Sequence, residues 1–298
     1  MTKKNSNLHA AKKAKNDEFY TRLADIEKEL KHYRTHFQGK KVYLNCDSAK
    51  SEFWRFFCLQ FNFLGLEKLT ATHYSEDGSS YKLELTKEMC EGVLNPHTDI
   101  EPLKTDLVGD GDFRSEESLA ILSESDIVVT NPPFSLFREF VEILNNSGKK
   151  YLVVGSMNAI TYKEVFKLIK ENKLWLGNYY LKEFTKPDGT TQKFGNILWY
   201  TNMDHSKRNE DLILFREYSS ENYPTYDNYN AINVDKVKDI PEGFLGEVGV
   251  PITFLSQYNP NQFKIVKFRK GDDGKDLRYI TDQGLLKEPY FRVIIKRK

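Results

Sequence analysis

The stretch Asp126-Ile127-Val128-Val129-Thr130-Asn131-Pro132-Pro133-Phe134 decides how the rest of the chain is read. A β-branched apolar run that stops at Asn-Pro-Pro-aromatic predicts a buried strand followed by a rigid turn. Adjacent prolines each lock φ and withhold an N–H, so neither a helix nor a central strand continues through them. Such a tetrapeptide arises by chance in about one chain in a hundred of this length. The plain alternative is an ordinary proline-rich strand exit. If the strand belongs to an open α/β sheet, its carboxyl end is where ligands bind.

Working outward, the flanking sequence predicts such a sheet. Upstream, Leu23, Ile26, Leu30, Tyr33 and Phe37 recur at helical spacing, and Gly39 closes the helix. Lys41 to Asp47 then reads as a strand, Ser51 to Leu64 as a helix dense in Phe and Trp, and Leu69 to Tyr74 as a second strand. Together they make a βαβ unit. Residues 75–111 are punctuated by Gly, Asp and Ser, with a possible strand at Tyr81 to Leu85. Downstream, a helix marked by Leu136, Phe137, Phe140, Val141 and Leu144 runs to Gly148 and precedes the strand Tyr151 to Gly155 and a helix near Tyr162 to Glu171. Leu174 to Leu176 and Phe194 to Asn202 read as late strands around a turn at Lys186-Pro187-Asp188-Gly189. The fold class that follows is α/β: a doubly wound, mostly parallel sheet over residues 16–202, behind a basic leader at 1–15. From residue 203 the rhythm changes to an aromatic, β-rich region. There Pro251 to Leu255 and Gln262 to Phe268 are predicted strands, and Asp272-Asp273-Gly274 is a predicted hairpin turn.

Composition narrows the function classes. The 298 residues contain no apolar run long enough to cross a bilayer, and the N-terminus lacks a secretory signal pattern. Cys46, Cys58 and Cys90 are odd in number and widely spaced, which predicts a reducing cytoplasm and no zinc framework. Net charge is only +1, but it is unevenly spread. Residues 1–15 carry five lysines and no acid, and residues 261–298 carry eleven Lys/Arg against five Asp/Glu. That basic end suits phosphates, although solvated tails would look the same. The loop after the first strand has no glycine, so a dinucleotide fingerprint and a phosphate-binding Walker loop are both absent. His32 and His36 are spaced like metal ligands, but no Glu follows as in H-E-x-x-H, and no metal is expected. Cys46 beside Asp47 reads as a small buried thiol rather than a nucleophile.

The turn itself suggests a chemistry. An exocyclic amine on a purine is a poor nucleophile because its lone pair is delocalised into the ring. Hydrogen bonds from its two N–H groups to the Asn131 side-chain oxygen and the Pro132 carbonyl would draw the nitrogen toward a nucleophilic, pyramidal geometry. Pro132 and Pro133 hold the carbonyl direction, and Phe134 would stack on the base. A base in duplex DNA would have to flip out to reach such a clamp. Asp112 and Phe113 are placed to accept from an amine and to cover a purine face.

From about Asn16 to the C-terminus the chain resembles the EcoRI-type adenine-specific DNA methyltransferases, which use S-adenosylmethionine. The resemblance is carried by Asp17-Glu18-Phe19-Tyr20-Thr21, Asn45-Cys46-Asp47, Asp126 to Phe134, Ser156 to Lys163, Gly195 to Asn202, Tyr226 to Val234 and Gly249 to Phe254. It implies a Rossmann-like methyltransferase core in which Asn131, Pro132, Pro133 and Phe134 form the catalytic loop. It also implies that Phe19, Tyr20, Thr21, Asn45, Cys46, Asp47, Asp112 and Phe113 bind the cofactor, with Asn131 at its methyl end. His73 and Tyr74 stand on the cofactor side where the wider class places an acidic residue. Residues 203–298 would recognise the target. The partners implied are double-stranded DNA and a cognate restriction endonuclease acting on the same site without a stable complex, with the protein a monomer. Two rival readings stay open: methylation of RNA adenine or a protein glutamine, and a catalytically silent nucleic-acid-binding module.

Overall fold

The computed structural model describes residues 20–75, 79–90, 95–186 and 189–298, so the leader, Phe19 and the Pro187-Asp188 centre of the predicted turn lie outside the described residues. Two compact units divide the chain: one runs to Val165 and resumes at Leu176–Asp204, and the other comprises Phe166–Trp175 and His205–Lys298.

The strands of the first unit are β1 (Tyr20–Thr21), β2 (Lys41–Asn45), β3 (Lys68–His73), β4 (Tyr81–Thr86), β5 (Lys104–Asp106), β6 (Ile127–Thr130), β7 (Lys150–Ser156), β8 (Trp175–Thr185) and β9 (Thr191–Thr201). They form one sheet in the order β1-β8-β9-β7-β6-β2-β3-β4-β5. The central strands β7, β6, β2 and β3 are parallel. Both wings are antiparallel, with β9 on β7, β1 on β8, β4 on β3 and β5 on β4.

Strand alternation explains why both faces are covered. Val42 and Leu44, Ile127 and Val129, and Leu152 and Val154 join one apolar cluster with α1 (Leu23–Leu30) and α2 (Glu52–Leu64). The intervening Tyr43, Val128, Tyr151 and Val153 are equally buried and point the other way. Neighbours in β9 divide in the same manner: Trp199 meets Phe53 of α2 edge-on at 5.9 Å, while Tyr200 meets Phe137 at 4.9 Å. Phe137 opens α4 (Phe137–Ser147), which follows α3 (Glu116–Glu124) and precedes α5 (Lys163–Lys170). Gly155 lets β7 approach α4 closely, since a Cβ there would sit 2.4 Å from the Phe137 ring.

The local signals for α2 are complete. Ser51 caps it by accepting from the Phe53 N–H at 3.0 Å, and Gly65 ends it at φ +64. Its buried Phe53, Trp54, Phe57 and Phe61 contribute about 1.5–3 kcal/mol each. The helix predicted from Leu23 to Phe37 is α-helical only to Leu30; Lys31–His36 tightens to 3-10 geometry, which keeps Tyr33 and Phe37 buried.

The second unit is built on a four-stranded sheet, β10-β11-β15-β12, made of β10 (Ile232–Asn233), β11 (Glu247–Pro251), β12 (Phe263–Phe268) and β15 (Arg292–Arg297). A separate hairpin pairs β13 (Tyr279–Ile280) with β14 (Leu286–Lys287). The strand predicted from Pro251 to Leu255 is a correction: β11 ends at Pro251, and Ile252–Gln257 forms 3-10 turns. Ile252, Phe254 and Leu255 share one buried side, a spacing that two-residue alternation cannot satisfy. Buried Arg292 organises this unit. Its guanidinium donates to Asn233 Oδ1 at 3.0 Å, Asp235 Oδ1 at 2.8 Å and the Tyr290 carbonyl at 2.7 Å.

Candidate active site

The chain lays down β2, moves to β3 on one side and later crosses to β6 on the other, so the topological switch point lies between β2 and β6. Asn45 ends β2, and Cys46 follows at φ +96. A non-glycine residue at positive φ is uncommon; here it gives a sharp turn of the kind that glycine usually supplies. Asp47 is buried behind it.

That carboxylate joins three elements. Thr130, the fully buried last residue of β6, donates its Oγ1 to Asp47 Oδ2 at 2.6 Å, and Ser51 Oγ, at the cap of α2, donates to Oδ1 at 2.5 Å. The end of β2, the start of α2 and the residue before Asn131 are thereby held together. Burial pushes the Asp47 carboxyl up to about 6 against the opposing pull of the two hydroxyls. Burial also pushes the Cys46 thiol up, reinforced by Asp47 and Asp112, so Cys46 stays protonated, with its thiol 3.6 Å from Asn45 Oδ1.

Beyond Thr130 the strand stops as the prolines require. Asn131 is half-buried at the mouth, Pro132 is buried, and Pro133 sits at φ −55 with its carbonyl taken by the Leu136 N–H at 3.0 Å. Phe134 opens a 3-10 turn, Phe134–Leu136, that leads into α4. Its ring is half-buried against the main apolar cluster.

The loops after β3 and before α3 are brought together beside this crevice. Ser75 N–H donates to the Asp110 carbonyl at 2.9 Å and Ser80 Oγ to the Gly109 carbonyl at 2.5 Å. Gly111, at φ +78, is pressed against the chain at His73, whose carbonyl oxygen would be 2.5 Å from a Cβ. His73 packs on Tyr81 at 5.0 Å, and Tyr74 is exposed. Arg114 holds the half-buried Asp112 carboxyl below the usual range through contacts of 2.8 and 2.5 Å. Phe113 turns inward and meets Phe140 edge-on at 5.0 Å.

Tyr20 and Thr21 reach the same side of the sheet by another route. β9 runs past the carboxyl end of β7, where Ile197 pairs with Ser156, and β1 pairs with Phe184 and Thr185 near the β8–β9 turn. β1 also touches α2. The histidines at metal-like spacing face different partners: His32 Nε2 lies 3.3 Å from the Tyr179 hydroxyl, and His36 Nε2 lies 2.8 Å from the Asp204 carbonyl. Sequence reasoning missed Thr130 and Ser51 as anchors of Asp47. The one available signal was a hydroxyl four residues after Asp47 at a helix start.

Residues 7–298 match the family model of the adenine-specific methyltransferase EcoRI. The chain belongs to this family. It is 46% identical to the type II methyltransferase M.EcoRI of Escherichia coli, over 99% of this chain and 97% of that protein. It is 42% identical to the type II methyltransferase M.MpnI of Mycoplasma pneumoniae, over 87% of this chain and 84% of that one. A third relative, the type II methyltransferase M.MgeORF184P of Mycoplasma genitalium, is 36% identical over 98% of both chains. No solved structure matches the chain. As a member of the EcoRI methyltransferase family the protein is an enzyme with a doubly wound α/β core, and no helix among the described residues is long and apolar enough to cross a membrane.

Proposed function

We propose that the protein transfers the methyl group of S-adenosylmethionine to the exocyclic N6 of an adenine in a specific double-stranded DNA sequence, with the base flipped into the Asn131-Pro132-Pro133-Phe134 clamp. The observation that carries this reading is the hydrogen bond from Thr130 to Asp47, because it joins the loop after β2 to the residue that precedes Asn131 across the switch point. The residues at the switch point suit a nucleoside cofactor: the chain turns away sharply at Cys46, half-buried Asp112 and exposed Tyr74 offer polar groups, and buried Asn45 ends β2 beside them. In this reading Asn45, Cys46, Asp47, His73, Tyr74, Asp112, Tyr20 and Thr21 hold S-adenosylmethionine, which supplies an electrophilic methyl group when bound. Phe113, buried against Phe140, would flank the adenine of the cofactor together with Asp112.

The chain's own residues do the rest. Asn131 Oδ1 and the Pro132 carbonyl accept the two amine N–H groups, which localises the nitrogen lone pair for in-line attack. Pro133 cannot compete for the amine, because its carbonyl is engaged by Leu136. Phe134 stacks on the base, an interaction of about 1–3 kcal/mol. No side chain in the turn is a base, so the extra proton leaves the methylated amine to water. Residues 203–298 recognise the target sequence, in keeping with the +6 balance of residues 261–298. The protein acts as a cytoplasmic monomer on the site that a cognate endonuclease would cut, without a stable complex between them.

The deciding experiment incubates the protein with labelled methyl donor and unmethylated genomic DNA and digests the DNA to nucleosides. Label in N6-methyladenine is expected; label only in RNA or protein would overturn the reading.

A further inference from the structure

The β13–β14 hairpin has a construction that packing does not explain. A two-stranded ladder with two residues per strand is marginal alone. This one is pinned at its base, where buried Tyr279 packs with Tyr226, Leu277 and Ile294, and Lys287 spans Tyr279 and Asp235. At its outer end the cross-strand pair Ile280 and Leu286 is 59% and 61% exposed, and Leu285 beside them is 61% exposed. The tip is closed by Thr281 N–H to the Leu285 carbonyl at 2.9 Å and by Gly284 at φ +74. A few residues on, Tyr290 is 65% exposed and stacks at 4.3 Å on Phe291, which Arg269 covers at 4.3 Å.

Three apolar side chains fall far short of the roughly 800 Å² per partner that a stable protein interface needs. The segment that carries them favours a polyanion instead: residues 261–298 hold eleven Lys/Arg against five Asp/Glu, with Lys264, Lys275 and Lys296 exposed, although the hairpin itself holds Lys287 against Asp282 and Glu288. Apolar wedges between base steps and aromatic platforms under unstacked bases are the ways proteins hold opened DNA. We propose that the hairpin is a duplex-opening wedge, in which Ile280 and Leu286 enter the base stack of the target DNA and Tyr290 supports an unstacked base. This inference depends on the DNA substrate proposed above. A stiff anchored stem suits the task, because little ordering remains to be done when the tip enters the stack.

The test compares the wild type with the double variant Ile280→Ser/Leu286→Ser on two duplexes carrying the mapped methylation site, one fully paired and one with a mispair opposite the target adenine. Both substituted side chains are exposed, so thermal unfolding should be unchanged. The wedge predicts that kcat/KM of the variant falls about tenfold or more on the paired duplex, since the base step must then unstack without the inserted side chains. It also predicts recovery to within about threefold of wild type on the mispaired duplex, where the base is already loosened. An equal loss on both duplexes, or no loss on either, overturns the wedge while leaving the methyltransfer reading intact. Failure of the wild type to label DNA at all overturns both.

Discussion

At the scale of single residues, the proposed mechanism assigns Asn131 to the reacting amine and leaves Asp47 to hold the turn in place. Asn131→Ala should lower turnover by about two orders of magnitude or more while cofactor binding, followed by calorimetry, is retained. Asp47 acts one step back, through Thr130 and Ser51. Its folded-state carboxyl is raised to about 6 from an ordinary value near 3.8, so the neutral acid is the form that folding favours. The stabilisation it lends is therefore complete below about pH 4 and is lost as pH rises through about 6. Against Asp47→Asn, the wild type should lose about 3 kcal/mol of relative stability between pH 4 and pH 7, read from denaturant unfolding at each pH. A constant difference across that range would show that Asp47 has an ordinary carboxyl. Thr130→Val should cut turnover with little effect on DNA affinity, because it removes a tether to the turn without altering the DNA-facing surface. The Asn131-Pro132-Pro133-Phe134 turn was legible in the sequence because its backbone constraint is local. The Asp47–Thr130 bond was not, because it joins residues 83 positions apart.

At the scale of elements, α1 is fastened to β8 by a carboxylate. Fully buried Glu29 accepts from the Tyr33 hydroxyl at 3.0 Å, the Asn178 N–H at 2.8 Å, the Asn178 side chain at 3.1 Å and the Tyr179 N–H at 3.0 Å. Burial pushes its carboxyl up, opposed by these donors. Gly177 makes the approach possible, since a Cβ there would lie 2.5 Å from Glu29 Oε1. Glu29→Ala should cost about 2–4 kcal/mol by stranding buried donors, whereas Glu29→Gln, which keeps an acceptor oxygen, should cost less than half of that; chemical denaturation distinguishes them. Helical periodicity identified α1 and α2, and apolar runs identified β2, β3, β6 and β7. α3 and most of the eleven-residue β8 were not foreseen. The sequence of β8 mixes Asn, Tyr, Lys and Glu, and only pairing with β9 and cover from α1 make it a strand. Such tertiary context overrides propensity.

At the scale of the molecule, the balance of charge is the property that matters for a polyanionic substrate. Binding to DNA should weaken steeply with salt, with a log–log slope of about −4 or steeper, and replacing Lys270, Lys275 and Lys296 with Gln should flatten it by about one per lost phosphate contact. Fluorescence anisotropy over a salt series measures this, and a slope near zero would refute an electrostatic role for the C-terminal surface. The sequence alone determined the strand-turn that presents Asn131, the alternating pattern of a doubly wound core and the basic C-terminal end, because each is written in neighbouring residues or in composition. The tertiary structure alone decided which strands flank β6, that a single buried carboxylate spans the switch point, that Phe113 turns into the core, and that Ile280 and Leu286 are left outside it. Each of these depends on contacts between residues distant in the chain, where burial and hydrogen-bond satisfaction outweigh any local preference.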